Sequence, residues 1–334
     1  MAKWYLTAGD HRDTVVSTRV RLARNIKGYA FPWRLDVPSR IKVNELVIKA
    51  AEDEKLPLKA INMKELTAFQ AASLAERRII SPEFASVADG RALLISDDED
   101  ISIMLCEDDH IRLQVMKSGL ALEQALEEAN EIDDKINKHL DYAFDERLGY
   151  LTEKPVDLGT GMRASVMLHL PALSQAGQIS RLGATVSKLG LSLNPVFGNG
   201  NTYYGDFYQL SNQLTLGISE KAAIDNLKSI TMQIVNQEHN ARKEFISSTE
   251  GQDKIFRAYG ILKSARLLTT NEFMELVSFV RLGAAVGILQ LDTQMLDEMT
   301  MTVQPASINT CKGTKLDKKE RDIQRAEMVR NKIE

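Results

Sequence analysis

Cysteine is nearly absent from this 334-residue sequence: Cys106 and Cys311 stand far apart, with no CxxC pair and no histidine-rich neighbourhood. That excludes a disulfide framework and a zinc ligand set of the usual spacing, and it fits a reducing, cytoplasmic setting. No apolar run approaches the ~18 residues of a membrane span. The opening Met1-Ala2-Lys3-Trp4-Tyr5 has no apolar leader core, so the expectation is a protein neither inserted nor secreted. Positive charge is not in excess either: 42 Lys and Arg against 46 Asp and Glu leave a net charge of -4. General nucleic-acid binding, which needs a basic surplus or a basic patch, is excluded, and any anion site must be local. Aromatics are few and low-complexity tracts are missing. The 44% hydrophobic and 26% charged content is the balance of a folded globular chain. The length suits a large domain with a smaller one, each able to bury a core.

What is present reads as two regions. Residues 90–95, 101–106 and 111–117 are apolar runs separated by acidic turns, which predicts an antiparallel meander. Helical spacing marks residues 38–55, 66–77, 122–140 and 178–189, with further strands expected at 164–170, 191–197 and 206–210. After Ser219, an N-cap candidate, the pattern is helical to 246, then over 252–267 and 270–289, and the basic segment 315–333 reads as an amphipathic helix. The expected fold is therefore α+β: an antiparallel β-sheet flanked by helices over residues 1–246, followed by an all-helical domain over 247–334.

Four segments carry chemistry. In Ser17-Thr18-Arg19-Val20-Arg21-Leu22-Ala23-Arg24-Asn25, Arg19 and Arg21 share a face if the chain is extended. Paired guanidinium forks match phosphate oxygens, although a solvated basic edge strand has the same pattern. Cys106-Glu107-Asp108-Asp109-His110-Ile111-Arg112 gathers three carboxylates. Such a cluster serves as a metal ligand set, a cation site, a general base or a plain acidic turn. Asp157-Leu158-Gly159-Thr160-Gly161-Met162-Arg163 is a glycine-flanked loop with an arginine at its lip, before Ala164-Ser165-Val166-Met167. Glycine there lets backbone approach a ligand, as it does in many simple turns. Finally, Arg321-Asp322-Ile323-Gln324-Arg325-Ala326 sets two arginines at i and i+4 beside an aspartate, which suits a phosphorylated guanidinium or a solvated charged helix.

Taken in order, these segments resemble the guanidino kinase superfamily, whose members move the γ-phosphoryl of ATP to a guanidinium nitrogen. The family patterns are S-S-R-V-R-x-x-R-N, N-E-E-D-H-x-R and C-P-x-N-x-G-T-G-x-R-A. The stretch from Gly161 to Leu173, the stretch from Tyr208 to Gly217 and the R-D-x-x-R-A match at Arg321 to Ala326 resemble its protein-arginine kinase branch. The resemblance implies the guanidino kinase catalytic fold and activity on arginine in proteins. It implies ATP with Mg2+, held by Ser17, Thr18, Arg19, Val20, Arg21, Arg112 and Arg163 to Met167, with Arg78 at a position where the family has a nucleotide-contacting histidine. Glu107 and Asp108 become the catalytic carboxylates, and Arg321, Asp322, Arg325 and Ala326 a phosphoarginine pocket. It further implies a homodimer, a zinc-binding activator protein, a stress-response repressor as substrate and a Clp-type unfoldase.

The sequence also departs from the family. Asp108 replaces a glutamate, Lys154 stands where the family has a cysteine near the substrate guanidinium, and Asp157 replaces an asparagine. Asn194 takes the place of a phosphate-binding arginine, and Thr202 that of an acidic residue. Shortening the base by a methylene shifts it by ~1 Å, enough to cost about 100-fold where positioning dominates. The alternative expectation is thus a catalytically impaired pseudokinase, a scaffold for phosphoarginine and ATP.

Overall fold

Alternation is the rule that builds the molecule. In the structure, a computed structural model describing residues 3–199 and 202–333, Val15–Arg24 forms the ten-residue strand β1. It is followed by β2 (Leu58–Asn62), β3 (Ala92–Ser96), β4 (Ile101–Leu105), β5 (Ile111–Ser118), the short pair β6 (Phe144–Asp145) and β7 (Gly149–Tyr150), and β8 (Met162–His169). The last four are β9 (Leu191–Pro195), the short pair β10 (Gly198–Asn199) and β11 (Thr202–Tyr203), and β12 (Phe207–Asn212). Eight of them make one antiparallel sheet in the order β2-β3-β4-β5-β1-β8-β12-β9. The sheet expected from the sequence is present, with β1 at its centre.

Because side chains alternate across a strand, one face of this sheet is apolar and the other is not. Val20, Leu22, Leu113, Val115, Ala164, Val166, Leu168 and Leu210 point to the first face. There they pack on helices α1 (Val37–Asp53) and α4 (Leu122–Asn137), and on the long helix α7 (Glu220–Ser247), which follows α2 (Ala68–Glu76), α3 (Pro82–Ala85), α5 (Pro171–Gln175) and α6 (Ile179–Ser187). Each fully buried Leu, Ile or Val contributes about 1.5–3 kcal/mol, so this layer outweighs local propensity in fixing the register. Helix starts follow capping chemistry. Asp36 accepts from the Ser39 amide before α1, Thr67 and Gln70 form a reciprocal capping box on α2, and Ser219 accepts from the Ala222 amide on α7.

The second face is covered at both ends and open between. Under β2 to β4, α2 and α3 bury Leu74, Ile79, Ile80 and Phe84 on Leu93, Ile95 and Met104. At the far end lies the helical region: α8 (Thr249–Ser264), α9 (Thr270–Ala285), α10 (Thr293–Thr302), α11 (Pro305–Lys312) and α12 (Lys318–Ile333). Its core is not separate from the sheet, since Val16, Met116, Met167 and Phe207 are part of it. A register shift between Val15 and Ser17 in the β1–β8 pairing turns Val16 towards the helices, as bulges do. Several elements were not expected from the sequence, β2, α10 and α11 among them. The edge strand β2 is half-exposed and so lacks a clean alternation, while α10 and α11 are short and rich in Thr, Ser and Gln rather than in evenly spaced apolar residues. The junction between α7 and α8 falls at Ser248, which caps α8 through the Gly251 amide at 3.0 Å.

Candidate active site

The open strip of the second face is cationic. On β1, Arg19 lies opposite Met116 and Ser165, and Arg21 lies opposite Gln114 and Arg163. Arg112, two residues before Gln114 on β5, falls on the same face. Thus β1, β5 and β8 bring four guanidinium groups together from positions up to 144 residues apart, 163 against 19. The Nε atoms of Arg19, Arg21 and Arg163 are buried and have no hydrogen-bond partner among the described residues. Burial first, then the charges of Arg21, Arg78, Arg112 and Arg163, hold the Arg19 guanidinium well below its ordinary pKa. Burial with Arg112 and Arg163 brings Arg21 down to about 9, against the pull of Glu107 and Asp157. Unsatisfied buried donors among like charges are costly until an anion arrives. Arg19, Arg21 and Gln114 line a cleft of about 940 Å³ walled by α2, α3 and the start of α9, ample for a nucleotide.

The carboxylates sit at the other end. Glu107 is bound by Arg112 and by the Ser81 hydroxyl. Burial works against the Arg112 charge, but Glu107, Asp108 and Asp157 outweigh it and raise the Arg112 pKa. Asp108 accepts from Lys154 Nζ and, at 3.4 Å, from Arg112. Its side chain is 28% exposed against 2% for Glu107, so Asp108 is the more accessible carboxylate of the two. Asp157 holds Arg163 at 3.0 Å. The sequence left Lys154 either facing a guanidinium or paired with Asp157 or Asp108; here it pairs with Asp108.

The loops are fixed by residues the motifs contain for structural reasons. Arg24 is buried in an ion pair with Asp133 at 2.8 Å, donates to the Ala23 and Thr160 carbonyls and lies 3.5 Å over the Tyr150 ring. Asn25 donates to Asp109 and to the Leu151 carbonyl and accepts from the His110 amide, tying the acidic turn to the segment that carries Lys154. Gly161 has φ +62, and a Cβ there would meet the Ala23 carbonyl at 2.7 Å, so only glycine lets this loop close on β1.

The strand period divides the side chains of the expected nucleotide contacts between the two faces. Val20, Ala164 and Val166 point into the apolar core on the opposite face. Thr18 donates to the Gly119 carbonyl and accepts from the Ala121 amide, which seats the start of α4. Ser17 is buried opposite Ser118, and Met167 packs under the helical region. Ser165 remains on the cleft face, accepting from Gln209 at 2.8 Å. Arg78, which composition alone reads as a surface arginine, reaches into the cleft. Gln114 and Gln209, floor residues with no local signature, were not found from the sequence.

The C-terminal motif is arranged differently from its expected use. Arg325 is fully buried and donates to the Val303 and Leu268 carbonyls and to Asp322. Arg321 donates to the Leu316 carbonyl at 2.6 Å, and Ala326 is packed in the core. The Arg325 guanidinium is taken up by the chain's own carbonyls and by Asp322, because a buried arginine must satisfy its donors, while Arg321 is half-buried and makes this one bond among the described residues.

Residues 41–241 match the family model described as ATP:guanido phosphotransferase, C-terminal catalytic domain. The chain belongs to this family. Residues 248–334 match the model described as the protein-arginine kinase McsB C-terminal domain. Among curated relatives, the protein-arginine kinase of Halothermothrix orenii is 40% identical over 337 residues, covering 100% of this chain and 97% of the relative. That of Caldanaerobacter subterraneus subsp. tengcongensis is 42% identical over 328 residues, covering 96% and 97%. Among solved structures, the duplicated taurocyamine kinase of Schistosoma mansoni with bound transition state analog components has a TM-score of 0.64 at 23% identity. It covers 80% of this chain, which spans 40% of that duplicated one. Lombricine kinase has a TM-score of 0.58 at 23% identity, covering 71% and 72%. These structures share the fold, and the family phosphotransferase works with ATP.

Proposed function

We propose that this member of the guanidino kinase family is a protein-arginine kinase, moving the γ-phosphoryl of ATP to arginine side chains of proteins. The observation that carries the reading is the strip of four convergent guanidinium groups, three with buried unpartnered Nε atoms, ending at the accessible carboxylate of Asp108. The triphosphate lies on Arg19, Arg21, Arg112 and Arg163. The acceptor guanidinium enters beside Asp108, displacing Lys154 from it. Its nitrogen forms the N–P bond as the bond from the γ-phosphorus to the bridging oxygen breaks. ADP leaves, and the proton lost by the guanidinium passes to Asp108. The arginines stabilise the charge that develops on the phosphoryl oxygens and the leaving group.

Mg2+ fits this site as an ion carried on the nucleotide's phosphates, where it supplies further charge neutralisation. No group of three or more His, Cys, Asp or Glu gathers as a separate metal site among the described residues. No helix among the described residues is long and apolar enough to cross a membrane. The same reading has the chain at work in the cytoplasm as a homodimer, with a zinc-binding activator, a stress-response repressor and a Clp-type unfoldase as partners. These partners rest on the family resemblance.

The test is mass spectrometry, under non-acidic handling, of an unstructured arginine-containing protein incubated with the full chain, ATP and Mg2+. The expected result is phosphoarginine that disappears in Arg21→Ala and increases about tenfold or more when Asp108→Glu is combined with Lys154→Cys. ATP binding without any product, in either background, would make the chain a scaffold instead.

A further inference from the structure

Beside the carboxylate end of the strip the surface turns apolar. Phe144 and Leu148 on the β6–β7 hairpin, Val156 in the 3-10 turn Pro155–Asp157, and Leu214 and Leu216 in the loop after β12 are all between 43% and 59% exposed. Single apolar residues on a surface are ordinary, but these stand on three segments bonded side by side. The Tyr150 amide donates to the Gly159 carbonyl at 2.8 Å, and the Thr160 amide to the Thr215 carbonyl at 3.2 Å. The Thr215 hydroxyl donates to the Val156 and Leu158 carbonyls at 2.8 and 2.6 Å. The hairpin is braced as well: Asp145 accepts from the Arg147 and Leu148 amides at 2.8 and 3.0 Å, and the Phe144 ring meets Tyr150 edge-on at 5.2 Å. A grouped apolar patch marks an interaction surface, and one held by its own backbone loses little further freedom when a partner covers it.

The patch is continuous with the site. Val156 lies between Lys154, which pairs with Asp108, and Asp157, which pairs with Arg163. Asp108 and Glu153 offer negative charge at this border, and the apolar side chains begin directly beyond it. An acceptor arginine that belongs to a polypeptide brings its neighbours with it. In an extended chain, positions two and four residues from the arginine share its face and stand roughly 7 and 13 Å away, far enough to leave the carboxylates and lie over a surface that begins at Val156.

We infer that the face formed by Phe144, Leu148, Val156, Leu214 and Leu216 docks an extended segment of the protein substrate, taking apolar side chains two and four residues from the arginine whose guanidinium reaches Asp108. The inference rests on the kinase reading and deepens it, since it adds flanking apolar residues to what the chain recognises.

The test compares two labelled peptides with one central arginine, one carrying leucines two and four residues away on both sides and one carrying serines there. Both are measured with the full chain, by fluorescence anisotropy for binding and, with ATP and Mg2+, by phosphoarginine formation. The leucine peptide is expected to bind about tenfold tighter or more, with a correspondingly lower KM and an unchanged kcat. Val156→Ser with Leu216→Ser should abolish that advantage and leave the serine peptide as it was. Leu148→Ser, at the hairpin tip, should remove part of it and decides the matter if the double variant does not fold. Equal binding of the two peptides, or a leucine preference that survives these variants, would overturn the inference, and phosphorylation of both peptides would then leave the kinase reading standing. A leucine preference lost in the variants, but with no phosphoarginine formed on either peptide, would support the docking face and overturn the kinase reading. Variants that change the sedimentation of the chain while leaving peptide binding unmoved would make the face a contact between copies of this chain instead.

Discussion

At residue 109 one carboxyl shows how the acidic turn is held. Asp109 is 2% exposed and accepts from Asn25 at 2.6 Å and from the Glu153 amide at 2.8 Å. Burial outweighs these bonds and pushes its pKa up to about 6 from an ordinary 3.8. A raised folded-state pKa means that the folded chain binds this proton more tightly than the unfolded one. Its stabilising contribution is thus complete below about 3.8 and is lost as pH rises through about 6. Urea unfolding of the unaltered protein and of Asp109→Asn should show the former losing ground to the latter between pH 4 and pH 7. A difference that stays flat across that window would mean the carboxyl is ionised throughout. The neighbouring Asp108 is bound to Lys154, so two adjacent aspartates with identical side chains sit differently, one buried in the turn's own hydrogen bonds and one paired with a lysine.

Among the elements, β1 does two jobs, and its last residues decide whether the site loops hold their shape. The Arg24–Asp133 pair is buried, the side chains 1% and 7% exposed. Breaking such a pair from one side leaves an uncompensated charge. Arg24→Met is expected to cost about 3–5 kcal/mol in denaturant unfolding. Arg24→Met with Asp133→Leu should recover most of that, since two apolar groups of similar volume are tolerated where a lone carboxylate is not. Equal losses in the single and double variants would show that the carbonyl contacts of Arg24, rather than the ion pair, carry the effect. The helices were legible where a cap and a regular apolar spacing coincide, as at Ser219 on α7. Helix α11 was not, because its start is set from outside: Glu76 of α2 accepts from the Ala306 and Ser307 amides at 2.8 and 2.7 Å.

Across the whole molecule, the expected division at residues 246 and 247 falls at a helix junction, but the packing does not stop there. The helical region shares its core with Trp4, Met116, Met167 and Phe207. Arg281 and Asp297, both fully buried, pair at 2.7 Å, and Arg281 also donates to the Arg12 and Asp13 carbonyls of the N-terminal segment. Cutting the chain at this junction would expose that shared surface. Urea unfolding followed by tryptophan fluorescence, with Trp4 inside the shared core, and by far-UV circular dichroism should therefore give coincident transitions. Two separated transitions would show that residues 247–334 hold together on their own.

The sequence by itself determined the strand alternation, the helix caps, the run of arginines on β1 and the motifs that mark the family, because each depends on neighbours within a few residues. The tertiary structure decided which of these groups meet. Arg163 faces Arg21, Lys154 reaches Asp108, Arg78 reaches Gln209 and Arg325 turns inward to carbonyls. Strand order and helix packing set those meetings over separations of up to 142 residues, Arg21 to Arg163. Local periodicity places a side chain on a face, but only the paired sheet and the packed helices place another charge opposite it.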